Sequence, residues 1–198
     1  MATGETGRRK DRAIKRGECE AEAEGRRQTA AGTIRSSARE LFVRRGFHET
    51  SVEHIARRAG VSKALVYHYF PDKRRLFAEV YAEMWRAAVA GHESSLEGSS
   101  VAPADAVVSL IRRARRCEGL PALARVSAWA LGPVALEIES AASVPVLRRA
   151  GLVPHVRSGG GAPARVLVHL IHDEVIDGGD VDGDRVLELM VEALSRNA

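Results

Sequence analysis

Cysteine is scarce in this chain: its 198 residues include only two, Cys19 and Cys117, which lie far apart in the sequence. Two such thiols provide neither a disulfide framework nor the clustered ligands of a zinc site. Long apolar runs are missing as well, since no stretch approaches the about 20 apolar residues that span a bilayer, and the N-terminus lacks the apolar segment of a secretory signal. We therefore expect a cytoplasmic protein that stays out of the membrane.

Aromatic residues are also few, at 5% of the chain, yet they gather in one place. Four of the nine Phe, Tyr and Trp residues lie in GVSKALVYHYFPDKRRLF, residues 60–77, beside a histidine and a basic cluster. Residues 28–77 hold ten Lys and Arg against four Asp and Glu, whereas residues 78–198 hold twelve against sixteen. A compact basic segment on an otherwise acidic chain indicates a polyanionic partner.

Composition divides the chain into three regions. Residues 1–27 contain blocks of charge and few large apolar side chains, which predicts a mobile tail. Residues 28–88 place apolar residues at helical spacing, broken at Gly46 and Gly60, which predicts a three-helix domain followed by a longer helix. The pattern of residues 89–198 predicts a second domain made of further helices. The expected fold class is therefore all-α.

Two of the short N-terminal helices are separated by a tight turn. Ser51 and Ser62 are suitable N-caps, Gly60 ends the first of the two helices, and Pro71 prevents continuation of the second. Such a pair is a helix-turn-helix, here spanning Ser51 to Phe70, whose second helix lies in the major groove of DNA.

The second of these helices carries side chains that a protein core does not need. Lys63 suits a phosphate or a guanine, the small Ala64 permits close approach, and Leu65 can meet a thymine methyl group. Tyrosine hydroxyls and the free N–H groups near Ser62 suit phosphate oxygens. The residues expected to project outward are Lys63, Ala64, Leu65, Tyr67, His68 and Tyr69.

The stretch ARELFVRRGFHETSVEHIARRAGVSKALVYHYFPDKRRLF resembles the DNA-binding domain of the tetracycline-repressor (TetR) family of bacterial regulators, over about residues 28–85. The resemblance implies homodimers that bind a palindromic operator in double-stranded DNA. It implies phosphate contacts from Thr50, Ser62, Tyr67, Tyr69 and Lys73, and base contacts from Lys63, Ala64, Leu65 and His68. The chain departs from the family pattern at Pro71, Arg74 and Arg75, and we expect these two arginines to face DNA or the tail.

Residues 89–198 are expected to form a helical ligand-binding and dimerisation domain. A long helix from Lys73 to about Ala90 links it to the basic domain and is expected to transmit the signal of a small-molecule effector. Trp85 and Trp129 are expected to line the effector site. Further helices are predicted at residues 103–117, 120–131, 134–150 with an interruption at Pro145, 164–176 and 184–196. Excess apolar residues on the last two helices predict that they pair with a second subunit.

The competing hypothesis is a metal-binding or catalytic helical protein. His169 and His172 are three residues apart, so both imidazoles could share a metal ion, but no third cluster of ligands is evident. A catalytic nucleophile paired with a base is also not evident. The sequence is therefore interpreted as a ligand-responsive transcriptional regulator, a repressor rather than an enzyme, without metal or other cofactor.

Overall fold

The computed structural model describes residues 29–96, 103–149 and 162–178, together with Asp182 and Glu188. These ranges contain eight helices and no strand, so the all-α prediction is confirmed. Helix α1 covers residues 29–49, and the others are α2 Val52–Ala59, α3 Lys63–Tyr69, α4 Lys73–Leu96, α5 Pro103–Arg116, α6 Leu120–Leu131, α7 Pro133–Arg149 and α8 Ala162–Asp177. The predicted tail, residues 1–27, and nearly all of the predicted helix 184–196 lie outside the described residues.

The helix-turn-helix forms where the caps predict it. Ser51 accepts a hydrogen bond from the His54 N–H at 3.1 Å, and the His54 side chain accepts one from the Ser51 N–H at 3.4 Å. This reciprocal capping box starts α2, and Gly60, with a φ of 69°, ends it in the left-handed conformation. The Ser62 hydroxyl accepts the Leu65 N–H at 3.1 Å and starts α3.

Helix α4 belongs to both halves of the molecule. It begins after Asp72, whose carboxylate accepts the Arg75 N–H at 2.7 Å, and it then packs against α5, α6 and α7. Its buried side chains join one connected core that runs from Ile34 in α1 to Val175 in α8. The predicted domain boundary at residue 88 therefore falls inside a helix.

Helix α7 differs from the prediction, because it continues through Pro145 without interruption. Proline removes the N–H that would bond the carbonyl four residues earlier, at Ala141. Both Pro145 and Ala141 are exposed, so water can solvate this carbonyl, while Val144 and Val146 on the other side are buried and hold the helix in place.

Helix α8 also differs from the prediction that it offers surplus apolar surface to a second subunit. Leu167, Leu170 and Ile171 are buried, and Val166 is partly buried, against helices of the same chain. The exposed side of α8 is instead polar, with His169 and Asp173 3.9 Å apart. None of the described helices is long and apolar enough to cross a membrane.

Candidate DNA-binding surface and regulatory core

Helix α3 separates an inward side from an outward side. Val66 and Phe70 are 1% and 3% exposed and anchor the helix in the core. Six residues were expected to project outward. Four of them are exposed, Lys63, Ala64, Tyr67 and His68, and two are partly buried, Leu65 and Tyr69. The exposed N-cap Ser62 lies at the start of the same face, so the surface has the composition that a contact with DNA requires.

The outward side chains of α3 are arranged in neighbouring pairs. The Lys63 ammonium lies 5.9 Å from the centre of the Tyr67 ring, one helical turn away. The His68 ring lies 5.1 Å from the Tyr69 ring in an edge-on arrangement. A cation near an aromatic face is attracted to it, so Lys63 and Tyr67 present a charge and a hydroxyl side by side on the outer face of α3.

Thr50 requires a correction, because the structure does not bring it to this surface. The residue is 0% exposed, and its hydroxyl donates to the carbonyls of Gly46 at 2.8 Å and Leu41 at 3.2 Å. Carbonyls at the end of a helix lack partners within the helix. Thr50 therefore satisfies the end of α1 instead of offering its hydroxyl to a phosphate.

Lys73 also requires a correction, since its ammonium group is engaged within the chain. It donates to the carbonyl of Phe47 at 2.9 Å, lies within 3.5 Å of the carbonyl of His48, and sits 4.3 Å from the centre of the Phe47 ring. Burial lowers the pKa of Lys73. A cation at the carbonyl end of a helix is stabilising, so Lys73 fastens the start of α4 to the end of α1.

Arg74 and Arg75 were expected to face DNA or the tail, and both have partners in the chain. The Arg75 guanidinium is 3.5 Å from the Glu79 carboxylate, one turn further along α4. The Arg74 guanidinium lies 6.0 Å from the centre of the Trp129 ring in α6. These contacts join α4 to itself and to α6.

The two tryptophans occupy different surroundings. Trp85 is 1% exposed, and its ring N–H donates to the Ser143 hydroxyl at 2.9 Å. Trp129 is 59% exposed and contacts the His48 ring, with ring centres 4.2 Å apart and the ring planes tilted by 46°. The expectation is therefore corrected for Trp129, which lies on the surface at the end of α1, whereas Trp85 lies within the C-terminal core.

A cluster of polar side chains lies around Trp85 in this core. The Tyr81 hydroxyl donates to the Glu139 carboxylate at 2.5 Å, and the same carboxylate oxygen is 2.8 Å from the His172 ring nitrogen Nδ1. Tyr81, Glu139 and His172 are 0%, 1% and 5% exposed and belong to α4, α7 and α8. Buried polar groups are costly unless they are paired. Tyr81, Glu139, His172 and Ser143, called the regulatory core cluster below, therefore join α4, α7 and α8 through specific polar contacts.

Glu139 and Ser143 are functional candidates that the sequence analysis missed. The signal available was their spacing in α7, where both lie between the buried Ala135 and Val146 along one face. A carboxylate within an apolar stripe indicates a buried charge with a partner elsewhere in the fold. The partners themselves are 58 residues away for Tyr81 and Trp85, beyond the reach of a local pattern.

The cluster makes stability sensitive to alkali. Burial, followed by the nearby Glu139 charge, raises the pKa of Tyr81 far above its ordinary value. Above about pH 10 the unfolded chain loses this proton while the folded chain keeps it, so the free energy of unfolding falls by up to about 1.4 kcal/mol per pH unit. Urea unfolding between about pH 9 and 11 measures the slope, and Tyr81→Phe should reduce it. An equal slope in both proteins contradicts this assignment.

The two histidines of the competing hypothesis have different surroundings and different partners. His169 is exposed and paired with Asp173, whereas His172 is buried and paired with Glu139. Their rings are stacked with centres 6.3 Å apart. Within the described residues no group of three potential ligands could hold a metal ion.

Comparison with known proteins agrees with the geometry of the N-terminal half. Residues 34–80 match the family model of bacterial regulatory proteins of the tetR family. The transcriptional activator FasR of Mycolicibacterium smegmatis is 41% identical over 54 residues, which are 27% of this chain and 25% of FasR. The chain thus matches about a quarter of the length of this curated relative.

Solved structures extend the likeness to the C-terminal half at the level of fold. A TetR regulator from Rhodococcus sp. RHA1 aligns with a TM-score of 0.60 at 23% identity, covering 84% of this chain and 97% of that one. RolR in complex with resorcinol aligns with a TM-score of 0.57 at 14% identity, covering 84% and 95%. The resemblance predicted from the sequence is confirmed: residues 34–80 match the model of the tetR family of bacterial regulatory proteins, and the fold of the chain is similar to that of a solved TetR regulator.

Proposed function

We propose that this protein is a cytoplasmic transcriptional repressor that binds a palindromic operator as a homodimer and is released by a small molecule. The observation that carries the proposal is the capped helix-turn-helix, whose α3 presents Lys63, Tyr67 and His68 to solvent. A short helix with an exposed cation and hydrogen-bonding rings fits the major groove. The excess of basic residues in this segment adds attraction to phosphate that does not depend on sequence.

A homodimer is proposed because one α3 is too short for a complete operator. Its 7 residues extend over about 10 Å, which reaches only a few base pairs. Two copies related by a twofold axis place two such helices about 34–36 Å apart, one turn of the duplex. The polar outer side of α8 and the predicted helix 184–196 are the proposed contact between the subunits.

The effector is proposed to bind in the C-terminal half, near the regulatory core cluster and Trp85. The cluster touches α4, the helix that also carries Leu76 and Phe77 into the DNA-binding core. An open groove of about 650 Å³ between α4 and α5, lined by Ala88, Val108 and Arg112 among others, is large enough to admit a small molecule. RolR holds resorcinol on the same fold. An effector shifts the protein only if it binds one arrangement of α4 better than the other.

The experiment begins with selection of bound fragments from random DNA, followed by affinity measurements on the selected duplex. Lys63→Ala and Tyr67→Ala are each expected to weaken binding by about 1–3 kcal/mol, because both side chains are exposed on α3. Arg86→Ala is the matched control, since Arg86 is an exposed cation on α4 that donates to the carbonyl of Ala82.

Normal affinity in both α3 variants would falsify the assignment of α3 as the recognition helix. Equal weakening by Arg86→Ala would show that net charge, and not the position of the charge, governs binding. Metabolites can then be screened for release of the wild-type protein from the selected duplex.

A further inference from the structure

Trp129 occupies an unusual place for a large aromatic residue. It is more than half exposed, so its burial contributes little to the core, yet it makes defined ring contacts. Its ring centre lies 4.2 Å from that of His48 and 6.1 Å from that of Phe47, both at the end of α1. The Arg74 guanidinium at the start of α4 lies on the same ring. Trp129 therefore joins α6 to two elements of the DNA-binding half.

Phe47 is the point where these elements meet. It is 4% exposed, and its ring packs edge-on against Phe77 of α4 with centres 4.9 Å apart. Lys73 binds its carbonyl and covers its ring. The ends of α1, α4 and α6 are thus held around Phe47, which lies three positions before Thr50 and four before Ser51, the N-cap of α2.

The other end of α6 also touches α1. Gly119 is the N-cap of α6, with a φ of 82°, and lies so close to Val43 that a Cβ at this position would overlap both methyl groups of the valine. Helix α6 consequently contacts α1 at two places, Val43 and residues 47–48. Two separated contacts fix the orientation of α6 relative to α1, whereas a single contact would permit α6 to rotate about it.

We propose that Trp129 is a positioning residue for DNA binding, which sets the orientation of the helix-turn-helix relative to the regulatory half through its ring contact with His48. The inference rests on the proposed function, because the quantity it controls is operator affinity. In a dimer the two α3 helices must fit half-sites at a fixed separation. Loss of the contact between Trp129 and His48 leaves each domain folded but widens the range of orientations of the helix-turn-helix. A smaller fraction of molecules then fits the operator.

The experiment is a double-mutant cycle on the selected operator duplex. Trp129→Ala and His48→Ala are each expected to lower operator affinity about three- to tenfold, and the double variant no further than the larger single effect. Thermal unfolding should stay close to that of the wild type because Trp129 is mostly exposed. Val134→Ala is the matched control, an exposed apolar residue on α7 that is expected to leave affinity unchanged.

A second measurement distinguishes a change in the orientation of the helix-turn-helix from a general loss of affinity for DNA. Operators with the half-sites moved apart by one base pair should bind the wild type poorly, and Trp129→Ala should narrow the difference between cognate and respaced operators. Undiminished affinity in both single variants, or strictly additive effects with unchanged spacing preference, overturns the proposal while operator binding by the wild type stands. Failure of the wild type to select any DNA overturns the proposed function and this inference with it.

Discussion

Replacing Gly119 by alanine is expected to destabilise the folded protein by about 2–4 kcal/mol, combining about 1–2 kcal/mol for a left-handed backbone with a similar cost of overpacking. The backbone part follows from the φ of 82° at this N-cap, and the packing part from the overlap of the new Cβ with Val43. Urea unfolding monitored by circular dichroism measures the loss.

Gly60→Ala is the matched control, because Gly60 has a φ of 69° but open space where a Cβ would stand. It should therefore show only the backbone part. Adding Val43→Ala to the Gly119 variant should recover some of the packing part by removing the two methyl groups. Equal losses at the two glycines, or no recovery, would mean that α6 does not press on α1 at this point.

The helix-turn-helix could be predicted from the sequence because its determinants are local. Ser51, Gly60 and Ser62 act on backbone groups within three or four residues of themselves, and the observed caps use these residues. The alternation of buried and exposed residues along α3 follows from the helical period alone. The interruption expected at Pro145 failed for a different reason, since burial of its neighbours outweighs the loss of one hydrogen bond.

Residues whose roles depend on distant partners could not be assigned in this way. Lys73 follows a proline beside a basic cluster, which favours a phosphate contact, but its partners are the carbonyls of residues 47 and 48. Trp85 and Trp129 both lie at helical apolar spacing, and only the packing of α6 against α1 separates a core residue from a surface one. Thr50 offered a hydroxyl before a helix, and the end of α1 uses it.

The structure connects the regulatory core to the DNA-binding half through α4. Tyr81 binds Glu139 near the middle of this helix, and Lys73 binds the end of α1 at its start. In the proposed mechanism, a rearrangement of the cluster is passed along this one helix to the residues that precede α2. Helix α6 provides a second connection through Gly119 and Trp129, so in the proposed mechanism both helices must move together.

Glu139→Ala is expected to cost about 3–5 kcal/mol of folding free energy, the range for breaking a buried pair by removing one partner. The substitution removes the acceptor of the Tyr81 hydroxyl and the carboxylate that lies 2.8 Å from the His172 ring nitrogen, in a region where both residues are 5% exposed or less. It also removes the polar contact that joins α4, α7 and α8. Urea unfolding at neutral pH measures the loss, and circular dichroism reports whether the helices remain.

Glu137→Ala provides the matched control, because Glu137 lies two residues away on the exposed side of the same helix and should change stability by less than about 0.5 kcal/mol. Glu139→Gln keeps an acceptor for the Tyr81 hydroxyl but removes the charge opposite His172, so its loss should fall between those of the two alanine variants. If Glu139→Ala unfolds at the same urea concentration as Glu137→Ala, the buried cluster does not hold the three helices together, and the proposed route from effector to α4 loses its physical basis.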